Sequence, residues 1–140
     1  MASLFTRIIE GELPGRFVWR DDRCVAFLTI APLTPGHTLV APVEEIPHWI
    51  DCPDDLIAHL MVVARTIGQA QVAAFSQARI GLIIAGMEVP HTHLHVLPIE
   101  RESDLHFGNA RHDVPDAELD DAAGKIRGEL RDLGESPPAD

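Results

Sequence analysis

The chain has 140 residues, the size of one domain, with 46% hydrophobic residues and a net charge of −11 from 22 acidic against 11 basic side chains. This composition supplies a sizeable core and provides no basic stripe of the kind that double-stranded nucleic acid requires. No stretch approaches the apolar length of a spanning helix, and Arg7, Glu10 and Glu12 interrupt any secretory pattern, so a cytoplasmic protein without nucleic-acid or membrane partners is expected.

Leu4, Phe5, Ile8 and Ile9 fall on one side of a short helix over residues 4–10, which Gly11 and Pro14 end. Residues 17–19 read as a strand, Asp21-Asp22 as a turn, and 23–29 as a second strand ended by Pro32 and Pro35. Gly36 opens a third strand over 37–41, stopped by Pro42, and its short Pro/Gly connection to 23–29 predicts an antiparallel pair. Cys24 and Cys52 stand in no metal-type spacing and read as plain buried or half-buried residues. Asp51-Cys52-Pro53 marks a helix start, with Asp54 and Asp55 at the positive end of its dipole. Leu56, Ile57, Leu60, Met61, Ala64 and Ile67 then recur at helical spacing, and the helix is expected to run to about Gln77.

The nearly continuous apolar run 80–85 suits a central strand. A turn over 86–90 leads into 91–97, and 116–133 reads as an acidic amphipathic helix with Gly134 just past its end. Residues 136–140 are expected to form a disordered tail, and 1–135 a single domain without repeats or linkers. The order of elements predicts an α+β fold, a mostly antiparallel sheet with helices packed on one side.

Residues 91–97 read His-Thr-His-Leu-His-Val-Leu. A β-strand sends alternate side chains to one face, so His91, His93 and His95 are expected along one ridge, about 6–7 Å apart step to step. Imidazoles titrate near neutral pH, so such a ridge can bind metal, relay protons or attack phosphorus. A Gly-x-Ser-x-Gly elbow, a Walker loop and a Gly-x-Gly-x-x-Gly fingerprint are all missing from the sequence. His37, at the start of the third strand, can join from a neighbouring strand. From these residues alone, a metal-dependent hydrolase and nucleophilic catalysis by histidine both remain open.

The run 91–97, with segments LFTRIIEGELP (4–14), DDRCVAFLTIAPLTPGHTLVAP (21–42) and GMEVPHTHLHVLP (86–98), resembles the histidine triad (HIT) family in the family's own order. The signature alternates histidine with apolar residues, and Thr92 takes one apolar position. The resemblance covers about residues 3–100, and the 4–14 segment looks like the Hint-like branch more than the Fhit-like one. It implies a HIT-like α+β fold with a five-stranded antiparallel sheet, a long helix and a C-terminal helix. It also implies a homodimer formed through the long helix and a central strand, purine nucleotide binding, and cleavage at the α-phosphate without a cofactor. In that scheme His93 attacks phosphorus to form a nucleotidyl-histidine, His91 and His95 orient it and hold the phosphate, and His37 is the fourth histidine. Leu4, Phe5, Ile8, Phe27 and Ile30 would line the base pocket.

Four positions depart from the family pattern. The Cys-x-x-Cys of zinc-bearing members reads Ser3-Leu4-Phe5-Thr6, and the histidine that such members have after the third strand is either replaced by Glu45 or displaced to His48, so no structural zinc is expected. Thr29 replaces the acidic residue that grips the ribose diol. The Asn-rich loop before the triad is shortened to Ile83-Ile84-Ala85-Gly86-Met87, where Gly86 still offers a backbone N–H. Glu88 takes a position where some Hint-like members place a phosphate-binding serine, and is expected to point away or cap a turn. The expected activity is hydrolysis or transfer on a nucleoside phosphoramidate or related nucleotidyl ester. A dinucleoside polyphosphate hydrolase and a nucleotide- or partner-binding protein with weak catalysis are the alternatives.

Overall fold

Strand β2 (Cys24–Leu28) is buried on both faces, and its alternation divides the protein in two. Cys24, Ala26 and Leu28 join the larger core, while Val25 and Phe27 join a smaller one with Phe5, Phe17, Leu39 and Ala41. The computed structural model describes residues 2–76 and 79–139. Around β2 the chain builds a five-stranded antiparallel sheet from β1 (Phe17–Arg20), β3 (Thr38–Pro42), β4 (Arg79–Ile83) and β5 (Leu94–Ile99), in the order β1-β2-β3-β5-β4. Helices α2 (Asp54–Phe75) and α3 (Asp116–Asp132) supply Leu56, Leu60, Ile67, Ile126 and Leu130 to the larger core. The short α1 (Leu4–Ile9) carries Phe5 to the smaller core, so the helices do not all pack on one side as the sequence suggested.

The predicted α+β class and the antiparallel pairing of β2 with β3 are both observed. Helix α2 ends at Phe75 with Ser76 in the left-handed region, and Gln77, where the helix was expected to finish, lies outside the described residues. At 22 residues α2 is also long and apolar enough to cross a membrane by length and composition, which corrects the expectation that no stretch is. Here its apolar stripe is spent inside the protein, where Leu56, Leu60, Val63 and Ile67 are at most 2% exposed.

Two strand expectations also change. The run 80–85 yields β4, which ends at Ile83 and lies at the sheet edge with Leu82 41% exposed rather than at the centre. Strand β5 begins only at Leu94, so His91 and His93 precede it. Antiparallel pairing with β3 stops at Val40↔Leu94. Pro42, two residues beyond Val40, has no N–H to give, and its carbonyl accepts from the His91 ring at 2.7 Å. The backbone of Thr92 turns instead to Ile46 O at 2.8 Å.

The β1–β2 turn is organised by Asp21. Its Oδ1 accepts from the backbone N–H groups of Arg23 and Cys24, both at 2.8 Å. Its Oδ2 faces Trp19 Nε1 at 2.8 Å, His59 Nε2 at 2.7 Å and Cys24 Sγ at 3.6 Å. Burial pushes this carboxyl up, but the bonds from Trp19, Arg23, Cys24 and His59 outweigh it and hold Asp21 below the usual carboxylate range. Burial, then the neighbouring Asp21, push the Cys24 thiol up, so it acts as a donor. Asp21, Cys24 and His59 could be mistaken for a metal centre. The 2.7 Å between Asp21 and His59 is direct hydrogen bonding, shorter than the roughly 3 Å or more that separates two ligands on one zinc with bonds of about 2 Å. Asp21→Ala leaves several partly buried donors unpaired and is expected to cost about 2–4 kcal/mol, read as a fall in the urea midpoint at unchanged slope.

Candidate active site

The four histidines come from three pieces of chain. His37 stands just before β3, behind Gly36, whose φ of +87° suits glycine and where a Cβ would fall 2.3 Å from the Phe75 ring. His95 lies in β5 opposite Leu39, and His91 and His93 lie in the segment just before it. Gln71 of α2, fully buried, donates from Nε2 to Gly36 O and Val96 O, both at 2.9 Å, and so ties the residues next to His37 and His95 together. Its Oε1 has no partner among the described residues.

Hydrogen bonding settles where each imidazole carries its proton. The Leu33 N–H donates to His37 Nδ1 at 3.0 Å, so the His37 proton is on Nε2 and is given to His95 Nδ1 at 2.9 Å. His95 therefore keeps its own proton on Nε2. His93 Nδ1 donates to the His91 carbonyl at 2.7 Å, which leaves the lone pair on Nε2. His91 donates from Nε2 to Pro42 O at 2.7 Å and accepts from Ser3 Oγ at Nδ1, also at 2.7 Å. The His93 and His95 rings are 4.8 Å apart, centroid to centroid. A bare nitrogen lone pair thus stands beside an N–H donor, and neither Nε2 has a protein partner among the described residues.

Burial keeps all four imidazoles neutral. It lowers His37, with help from His95 and His93, to about 3, and His95, with help from His93, to about 4. Burial also lowers His91 and His93, against the opposing pull of the Pro42 and His91 carbonyls and of Glu45 and Glu88. Besides one another, the charged side chains acting on these imidazoles are thus Glu45 and Glu88, both acidic, among the described residues.

The expected pocket residues divide. Phe5 and Phe27 are buried and meet edge-to-face at 5.4 Å, and Phe5 reaches His93 at 4.7 Å and His91 at 5.9 Å. Ile8 packs half-buried beside them. Leu4 and Ile30 are 47% and 74% exposed, so they are apolar surface rather than core. Thr29 Oγ1 accepts from the Ala31 N–H at 3.1 Å, which leaves its hydroxyl proton to offer. Gly86 holds φ +76° in the turn before the triad, and Met87 beside it is 91% exposed. Glu88 is exposed, and its charge acts on His93. One neighbour was not anticipated: the Phe107 ring lies 5.1 Å from that of His95.

Ser3 also caps α1, accepting from Thr6 N at 3.0 Å. Glu45 accepts from Ser3 N at 2.6 Å and Thr6 Oγ1 at 2.7 Å, and these two bonds, in that order, lower its carboxyl below the usual range.

A family model described as the HIT domain matches residues 10–102. An uncharacterized HIT-like protein of Methanocaldococcus jannaschii is 33% identical over 132 residues, covering 89% of this chain and 98% of its own. An adenylylsulfatase, HINT3, of Arabidopsis thaliana is 31% identical over 100 residues, covering 68% of this chain and 51% of its own. A solved zinc-bound histidine triad protein from Mycobacterium smegmatis superimposes with a TM-score of 0.82 at 27% identity, over 96% of both chains. Zinc does not suit Ser3, Thr6, Glu45 and His91. The set holds no thiolate, and Ser3 Oγ sits 2.7 Å from His91 Nδ1 in direct hydrogen bonding.

Proposed function

This chain belongs to the HIT domain family, and from that premise we propose that it is a nucleotidyl hydrolase or transferase acting at the α-phosphate of a purine nucleoside phosphoramidate or related nucleotidyl ester. The observation that carries this reading is the proton arrangement on the ridge: a free lone pair on His93 Nε2 beside an N–H on His95 Nε2. His93 Nε2 bonds to phosphorus as the bond from phosphorus to the leaving nitrogen or oxygen breaks. The leaving atom keeps that electron pair and takes the His95 Nε2 proton, and the negative charge this leaves on His95 is offset by the positive charge that the His93 ring gains on bonding phosphorus. Water then attacks phosphorus, the phosphorus–His93 bond breaks, and the water's proton returns to His95 while the nucleoside monophosphate departs. Splitting the displacement this way also permits another acceptor in place of water.

The charges around the ridge favour a leaving group that is not a polyphosphate. Glu45 acts on His91 and Glu88 on His93, so added negative charge at that end of the ridge is repelled, and the bonds and ring contacts of the four histidines are to neutral groups. The adenylylsulfatase among the relatives extends the expected range to mixed anhydrides of a nucleoside monophosphate. The protein is proposed to work as a homodimer. Edge strand β4 and the outer face of α2 expose Leu82, Met61, Val62 and Val72 (41–49%), and covering them with a second copy would make the run 80–85 central in the assembly.

The test is release of nucleoside monophosphate from adenosine 5′-phosphoramidate, adenylyl sulfate and a diadenosine polyphosphate. The phosphoramidate is expected to exceed the diadenosine polyphosphate in kcat/KM by about tenfold or more. The reverse preference supports the polyphosphate reading, and tight binding of AMP without turnover of any of the three supports a binding protein.

A further inference from the structure

We infer that Gln71 is a positioning residue for the reaction: its amide spans the carbonyls beside His37 and His95 and so keeps the His95 proton on Nε2, where the leaving atom takes it. The inference rests on the function proposed above. The donor on His95 exists because His37 Nε2 gives its proton to His95 Nδ1 at 2.9 Å. A neutral imidazole has one proton for two nitrogens. A His95 ring without a donor at Nδ1 can carry its proton there and face the leaving atom with a lone pair. Keeping the two rings at hydrogen-bond distance is therefore part of keeping the acid. The β3–β5 ladder does this only in part, since its register ends at Thr38↔Val96 and leaves His37 beyond it. Gln71 Nε2 donates to Gly36 O and to Val96 O, both at 2.9 Å. One amide thus bridges the two strands where the ladder stops, one residue from each histidine.

Gln71 works from the far side of the sheet. Leu94 and Val96 join the larger core with α2, so His95 between them points to the opposite face. Gln71 therefore acts through the backbone and not on the substrate. It is fully buried, and its helix neighbours Ile67 and Ala70 belong to the core. An apolar side chain of similar length would serve packing at this place. The chain instead carries an amide whose Oε1 accepts from no group among the described residues. A buried, half-paired amide costs stability, and such groups persist where they fix a geometry. Both Nε2 protons go to carbonyl oxygens, which fixes the orientation of the amide. Thr38 Oγ1 also donates to Gly36 O, at 2.8 Å, but that bond is local to one piece of chain and does not reach β5.

The experiment compares two derivatives of AMP. Adenosine 5′-phosphoramidate has a leaving nitrogen that must take a proton; the p-nitrophenyl ester of AMP loses a phenolate that departs without one. The readout is kcat/KM, which reports the steps up to that departure, with thermal melting to verify the fold. Gln71→Met keeps the length of the side chain and removes both donors. It is expected to lose about tenfold or more on the phosphoramidate and about threefold or less on the ester. Thr38→Val, which removes the other bond to Gly36 O, is expected to keep the wild-type ratio between the two substrates. Should Gln71→Met not fold, Gln71→Glu takes its place: its buried carboxyl, protonated, has a single O–H that holds one carbonyl and not both, so the same selective loss is expected. An equal loss on both substrates, no loss on either, or the same selective loss in Thr38→Val overturns the role of Gln71 and leaves the proposed activity standing. Turnover of neither substrate by the wild type overturns the proposed activity, and this inference with it.

Discussion

Replacing His93 with alanine is expected to cut turnover by about four orders of magnitude or more while the protein still folds, since loss of a covalent nucleophile has effects of that size. The neighbours cannot substitute. His91 has committed both ring nitrogens, to Pro42 O and Ser3 Oγ, and His95 presents a proton where a nucleophile needs a lone pair. The structural loss is small by comparison: one edge contact with Phe5, worth about 1 kcal/mol, and a bond to the His91 carbonyl. Denaturing the wild type in alkali during turnover, where phosphorus–nitrogen bonds persist, should leave a nucleotidyl group on the peptide carrying His93. Turnover retained by His93→Ala, or an adduct on another residue, would remove His93 as nucleophile.

The second large effect is acid sensitivity of the fold. His37 and His95 titrate near 3 and 4 when folded, against about 6.5 for an unperturbed imidazole. Below pH 6.5 the unfolded chain therefore binds protons that the folded chain refuses, and stability falls as pH falls. Each group contributes at most about 1.4 kcal/mol per pH unit, so the pair contributes on the order of 5 kcal/mol between pH 6 and 4. That is comparable with the whole stability of a small domain. Asp21 has the usual carboxylate sign: its contribution is present above its unfolded value near 4 and is lost only well below it. Urea midpoints measured from pH 7 to 4.5 should fall steadily, and His37→Asn should flatten the slope. A wild-type profile that stays level down to pH 5 would show that these imidazoles are not held neutral.

The elements that could be read from the sequence are those whose signal is local. Helices α2 and α3 carry apolar stripes over several turns, and β2 and β3 are bounded by prolines and glycine, so their limits came within a residue or two. The histidine row could be read for the same reason, since alternate positions bring His91 and His93 to the same Phe5 ring and His93 beside His95 even where no ladder forms. What could not be read depends on residues far apart in sequence. Strand β5 starts late because His91 takes the carbonyl of Pro42, 49 positions away. The partner of His91 is Ser3, 88 positions away, in a segment where the sequence showed only missing thiolates. Strand β4 looked central because an apolar run records how much is to be covered, not whether this chain or another covers it. Phe107 gave no signal beyond being the single large apolar residue in 106–113, a stretch without period. The five apolar pocket residues looked alike in sequence, yet burial separates Phe5 and Phe27 from Leu4 and Ile30.

The link from Ser3 and Glu45 to His91 has a consequence for how the protein is supplied. A histidine fixed by thiolates around a bound ion comes in two forms, loaded and empty, and depends on what the surroundings deliver. Here the same ring is fixed by a hydroxyl and, one step behind it, a carboxylate, all synthesised with the chain. Every molecule that folds has the ring oriented at once, with no loading step for starvation or a competing ion to interrupt.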